Sequence, residues 1–172
     1  MYVYRLATKQ DIARIVELVE SAYRGEKSRV GWTTEADLLD GQRTDYRAVA
    51  EIIKTENDVI IVCEQNSRLL ASVHLKKMPD YAYLGMFAVK PELQGKGVGK
   101  ALLQYAEKLS KDWACKYIEM TVITQRLELI NWYQRQGYVL SGEKREFPYG
   151  DERYGIPRRD DLEMTVLVKK IE

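Results

Sequence analysis

The sequence predicts a single α/β domain, and three observations support this. Apolar runs with a period of two alternate along the chain with apolar residues at helical spacing. Glu64-Gln65-Asn66-Ser67 is a hairpin signal between the continuous apolar run Val59 to Cys63 and the run Leu69 to Leu75, which makes them antiparallel neighbours. Finally, the strand Tyr81 to Val89 runs through a glycine-rich turn straight into a helix. The 172 residues suit one compact domain, and no composition shift marks a boundary, so residues 1–172 are read as one unit.

Taken in order, Tyr2 to Leu6 alternates as an opening strand. Thr8 and Asp11 form a capping arrangement for a helix that places Ile12, Ile15, Val16, Val19, Ala22 and Tyr23 on one face. From Arg24 to Arg43 the pattern breaks into a polar stretch, with a short helix expected to be capped by Thr33 or Thr34. A second long helix covers about Tyr46 to Lys54. Val59 to Cys63 and Leu69 to Leu75 are the hairpin strands, and Tyr81 to Val89 is the third of that group. A helix follows to near Asp112, then a strand from Tyr117 to Ile123. A helix starting near Leu127 stops at Gly137. Tyr138 to Leu140 and Leu162 to Val168 supply the last strands, separated by a loop of turn formers and aromatics from Phe147 to Arg159.

Composition excludes several classes. The formal charge of +1, from 27 basic and 26 acidic residues, provides no broad field for nucleic acid or an anionic membrane. No apolar run approaches the roughly 20 residues of a membrane span, and the N-terminus lacks a signal-peptide core, so a cytoplasmic protein is expected. Cys63 and Cys115 sit in apolar surroundings with no metal-ligand spacing and read as small buried hydrophobes.

The chemistry concentrates at Gln94-Gly95-Lys96-Gly97-Val98-Gly99. A glycine turn that opens a helix leaves backbone N–H groups unpaired at the positive end of the helix dipole, an arrangement suited to phosphate. A Walker loop fails on the spacing between Gly95 and Gly99 and on Ala101 after Lys100. A dinucleotide fingerprint fails because position 100 is Lys100. A plain strand-to-helix turn fits the hexapeptide as well.

The hexapeptide resembles the Gln/Arg-x-x-Gly-x-Gly/Ala signature of the GNAT superfamily of N-acetyltransferases. The element order is similar to that family's, and Asn131-Trp132-Tyr133-Gln134-Arg135-Gln136-Gly137-Tyr138 resembles its aromatic-Tyr-x-x-x-Gly-Phe/Tyr segment. The resemblance covers nearly the whole chain. It implies a central mixed, mostly antiparallel, seven-stranded sheet flanked by helices. It also implies an acetyl-coenzyme A-dependent enzyme that acetylates a primary amine of a small molecule, expected to be amino-acid-like, by direct attack, as a monomer or homodimer. A non-catalytic acyl-coenzyme A-binding or sensing domain of the same fold is the alternative.

On that resemblance, Phe87, Ala88 and Val89 would pair with the pantetheine arm as an added strand would. Backbone groups of Gln94, Gly95, Lys96, Gly97, Val98 and Gly99 would hold the pyrophosphate. Lys96 and Lys100 would lie near it, or stand as solvated charges. Tyr133 matches the family's general acid, its alternative being a half-buried aromatic on a core-facing helix. No carboxylate stands on Tyr81 to Phe87 where family members often carry a base, leaving Asp80, Glu35, Asp37 or water. His74 reads first as a partly exposed strand residue. Two unusual stretches would line the acceptor pocket. Arg24, Arg29, Trp32, Thr33, Thr34, Glu35 and Arg43 come from one, and Tyr149, Asp151, Tyr154, Arg158 and Arg159 from the other. Acidic and aromatic members suit an amine and the arginines suit a carboxylate, although a solvated loop with Trp32 as packing anchor is an equal reading.

Overall fold

The computed structural model describes all 172 residues. Strand β1 (Val3–Leu6) leads into helix α1 (Ile12–Tyr23). After the two-residue strand β2 (Leu39–Asp40) come α2 (Tyr46–Lys54), β3 (Asp58–Gln65), β4 (Arg68–Lys77) and β5 (Tyr81–Val89). The chain continues through α3 (Val98–Asp112), β6 (Tyr117–Ile123), α4 (Leu127–Arg135), β7 (Val139–Glu146), β8 (Ile156–Pro157) and β9 (Glu163–Lys170). Seven strands form one mostly antiparallel sheet, as the family resemblance implies, and their order across it is β1-β3-β4-β5-β6-β9-β7. Only β5 and β6 run parallel.

Both faces of the sheet are covered, which is why β3 reads as a continuous apolar run rather than an alternating one. Ile61 and Cys63 face a core with Leu75, Leu84, Leu102, Leu103, Ile118 and Leu167. On the opposite face Ile60 and Val62 pack with Ile12, Ile15 and Val19 of α1 and Val49 of α2. The α1 start is fastened by Asp11, which is 1% exposed. Asp11 accepts from Thr8 N at 2.8 Å, from Arg5 Nη1 at 2.7 Å and from Arg14 Nη2 at 2.5 Å. The Arg5 guanidinium, aided by Thr8 and Arg14, outweighs burial and holds the Asp11 carboxyl well below the usual carboxylate range.

A pH prediction follows from that shift. A carboxyl with a depressed folded pKa stabilises fully above its unfolded value of about 4, and that contribution is lost as pH falls below it. Asp11→Asn should therefore cost about 1.5–3 kcal/mol in urea unfolding at pH 7, with the gap to the parent protein narrowing as pH drops below about 4.

Two features open the middle of the sheet. Val73 of β4 stands opposite both Met86 and Phe87, because Ser72 pairs with Ala88 and His74 with Gly85. This bulge sets Met86 at φ +46° and bends β5. The parallel pairing of β5 with β6 covers only Tyr81–Tyr83 against Tyr117–Glu119, after which the strands part.

The two unusual stretches are joined, a link that local pattern did not predict. Strands β2 and β8 pair antiparallel, Leu39 with Pro157 and Asp40 with Ile156. Arg158 Nη1 donates to Ala36 O at 3.1 Å. The helix expected at Thr33 or Thr34 does not form. A 3-10 turn occupies Glu26–Val30 instead, and Thr34 Oγ1 accepts from Ala36 N at 3.1 Å within a simple turn. The strand expected at Tyr138 to Leu140 runs on to Glu146 as β7, carried past its polar residues by pairing with β9 and by a bulge.

Candidate active site

The glycine turn between β5 and α3 is a concave donor surface. The first helical N–H with a backbone acceptor is that of Ala101, bonded to Gly97 O, and the amides of Gly95 through Lys100 find no acceptor within the chain. Gly95 and Gly97 adopt φ +78° and +86°, and a Cβ at either would meet nothing within 4 Å. The turn therefore needs glycine for its backbone path and leaves open space above its donors. Lys96 and Lys100 are exposed and have no carboxylate partner. Gly99 packs at 3.4 Å from Val89 and 3.8 Å from Trp132, pressing α3 onto β5.

Gln94 departs from its expected place in the cradle. Its amide N–H is spent on Pro91 O, so the free donors begin at Gly95. Its side chain acts as a clamp: Oε1 accepts from Trp32 N at 2.8 Å and Thr33 N at 3.2 Å, while Nε2 donates to Thr33 Oγ1 and Val89 O. Gly31 is needed beneath this clamp, since a Cβ there would lie 2.3 Å from Gln94 Oε1. On β5, Phe87 O accepts from Tyr23 Oη at 2.6 Å, so the carbonyls of both Phe87 and Val89 are already in use.

Where β5 and β6 part, a cavity of about 1320 Å³ opens, lined by residues of α1, α2, β4, β5, β6, α4 and the β7–β8 connection. Its apolar wall includes Met120, Val122, Phe147 and Met164. Tyr133 and Phe87 reach it from the cradle side, with their rings 6.4 Å apart. The Tyr133 side chain is buried and its hydroxyl makes no hydrogen bond within the chain. Burial, reinforced by neighbouring Tyr23, pushes that hydroxyl well above the ordinary tyrosine range, so it stays protonated at neutral pH.

The far wall is built on Glu35. This buried carboxylate bonds Arg24 through one oxygen and Arg126 through the other, at 2.9 Å, and Arg126 also reaches Thr33 O. Burial alone would raise the Glu35 pKa, but the charges of Arg126 and Arg24 outweigh it and hold Glu35 ionised. Arg24 crosses to Tyr154 O at 3.1 Å, tying the two unusual stretches together inside the cavity wall.

Of the other expected pocket residues, Trp32 and Thr33 sit at the Gln94 clamp, with the Trp32 ring 6.2 Å from Trp132. Arg29 is outside the cavity, engaged with Glu26 at 3.0 Å and Asp37 at 2.9 Å. Tyr149 also lies outside, its hydroxyl bonding Arg159 O and Leu162 N to brace the loop. None of the carboxylates weighed as a base is a free group in the cavity: Asp80 pairs with Lys116, Asp37 with Arg29, and Glu35 is held by two arginines. His74 does line the cavity, with Nε2 bonded to Asp58, and burial lowers its pKa against the opposing pull of Asp58. Sequence reasoning missed Tyr23 and Arg126. Tyr23 has the spacing of a core residue on α1, and the available signal for Arg126 was its place just beyond the carboxyl end of β6, where open sheets bind ligands.

Residues 14–138 match the sequence model of the acetyltransferase (GNAT) family. The S-alkylcysteine N-acetyltransferase of Bacillus subtilis (strain 168) is 28% identical over 153 residues, covering 83% of this chain and 81% of its own. The S-(2-succino)cysteine N-acetyltransferase of the same organism is 29% identical over 150 residues, covering 82% and 86%. The crystal structure of the ribosomal-protein-S18-alanine N-acetyltransferase from Escherichia coli matches with a TM-score of 0.74 over 100% of this chain and 95% of its own. At 16% identity, that likeness speaks to fold alone.

Proposed function

The chain belongs to the acetyltransferase (GNAT) family and is an acyltransferase, and on that premise we propose that it uses acetyl-coenzyme A to acetylate the primary amine of a small amino-acid-like acceptor, with S-substituted cysteines foremost. The observation that carries this reading is a Tyr133 hydroxyl without a partner in the chain, set between two surfaces of opposite use. One is a cradle of free amides, and the other a cavity with both cationic and apolar walls. The two B. subtilis relatives, named for cysteine conjugates, support the acceptor class. Met120, Val122, Phe147 and Met164 suit an apolar or thioether-linked substituent.

Acetyl-coenzyme A supplies the acetyl group as a thioester. The chain's part is positional and electrostatic. The amides of Gly95 to Lys100, with Lys96 and Lys100 beside them, hold the pyrophosphate. The open edge of β5 aligns the pantetheine arm. The Tyr133 hydroxyl would hold the proton for the departing sulfur as the C–S bond breaks and the C–N bond forms, and the proton shed by the amine nitrogen would leave through water, restoring the hydroxyl. Glu35, locked between arginines, shapes the acceptor wall and is not a free base.

Release of free thiol from acetyl-coenzyme A, followed across a panel of amines, tests the reading. S-Alkylcysteines should be turned over, and Gly97→Asp, which sets an anion among the phosphate donors, should weaken coenzyme A binding at least tenfold by calorimetry. Saturable cofactor binding with no thiol release for any amine would overturn the enzyme assignment of the acceptor cavity.

A further inference from the structure

Six arginines line the cavity: Arg24, Arg43, Arg47, Arg126, Arg145 and Arg153. Four are committed. Arg24 and Arg126 are bonded to Glu35, Arg145 to Glu119 and Glu143, and Arg153 to Asp151. Arg47 is exposed on α2. Arg43 alone is half-buried with no carboxylate partner, its guanidinium 5.5 Å from the Tyr23 ring centroid. The backbone beneath it is fixed, since Glu20 Oε1 accepts from both Arg43 N and Thr44 N at 2.7 Å.

The local charge does not balance. Arg24, Arg43 and Arg126 share one carboxylate, Glu35, the nearby Glu20 carboxylate being spent on the Arg43 and Thr44 amides, and Arg126 lies 5.7 Å over the same Tyr23 ring that Arg43 covers. Arg24 Nε is a buried donor with no acceptor. The other acidic residues that face this cavity leave the excess standing. Asp45 caps α2 through Ala48 N, and Glu51 and Glu146 are exposed, while Asp58, behind the lining, is engaged by His74. A half-buried site with uncompensated positive charge attracts an anion, and a guanidinium fork matches a carboxylate. It also repels a simple ammonium, so an amine that enters fits better when it brings its own carboxylate.

Resting on the acetyltransferase reading above, we propose that Arg43 binds the carboxylate of the acceptor, so that the enzyme selects α-amino acids over the same amines lacking that charge. The Tyr23 ring links this anchor to the reacting end of the cavity, since its hydroxyl is bonded to Phe87 O on β5.

S-Benzyl-L-cysteine and its carboxamide share one skeleton but carry an anionic or a neutral group at the carboxyl carbon, and they are the probes, compared at a pH where both amines are protonated for binding. Binding to the coenzyme A-loaded protein is measured by calorimetry, and transfer by thiol release. The acid should bind the parent protein at least tenfold more tightly than the amide. Arg43→Met should erase that gap by raising Kd and KM for the acid more than for the amide, Arg43→Lys should restore part of it, and Arg47→Met should keep it whole. Retention of the gap in folded Arg43→Met, equal binding of acid and amide to the parent, or binding of neither would overturn the proposal. An Arg43-dependent gap in binding with no thiol release would uphold the carboxylate site and overturn acetyl transfer.

Discussion

Tyr133→Phe should lower kcat by about 100-fold or more, with the Kd for coenzyme A and the urea midpoint both unchanged. The separation is expected because the hydroxyl makes no hydrogen bond within the chain, so its removal leaves the fold intact. The ring itself is kept in place by edge contact with Trp132 and Tyr138, at 5.1 and 5.7 Å, and phenylalanine preserves those contacts. The pH profile provides a second readout. Because burial raises the Tyr133 pKa, this group should impose no alkaline limb on kcat up to about pH 10, where an ordinary tyrosine would lose its proton. Unchanged kcat in Tyr133→Phe would remove the acid assignment.

Glu35→Ala should destabilise the protein by about 3–5 kcal/mol, because it strands two buried guanidiniums without their counter-charge. For a chain of this length that is a fall in Tm on the order of 10 °C. Glu35→Gln keeps the shape and one acceptor but not the charge, and should cost less than the alanine variant. The sign against pH is fixed: Glu35 is held ionised in the fold, so its contribution is present above its unfolded pKa of about 4.3 and fades as pH falls below that value. Differential scanning of both variants at pH 7 and pH 4 checks the magnitude and the slope. A Glu35→Ala protein as stable as its parent would show that the triad is ornamental to the fold.

These two residues mark how far sequence reading reached. Tyr133 was singled out because its register to Gly137 and Tyr138 matches the family segment, and α4 sets it in the cavity wall. Glu35 was legible only as a polar residue in an irregular stretch, one among several candidates for an acceptor pocket. Its partners Arg24 and Arg126 are 11 and 91 residues away, and no periodicity links them. Arg29 carried the same outward signal as Glu35 and Arg43, a charge in an irregular stretch, yet it pairs with Glu26 and Asp37 at the surface, and Tyr149, an aromatic in the other stretch, braces its own loop.

Element order and the glycine turn at Gln94 to Gly99 rest on patterns within about ten residues of chain: hydrophobic period, glycine placement and helix stops, while the seven-stranded sheet and the choice of Tyr133 came with the family resemblance. Such patterns act before tertiary contacts form, so they can be read directly. Tertiary packing alone decided that β2 pairs with β8, that the Gln94 side chain clamps Trp32 and Thr33 while its own amide leaves the cradle, and that three arginines gather around one carboxylate. Charges in loops have no period. Their partners are chosen by which chain segments the sheet brings together and by the cost of burying a charge unpaired.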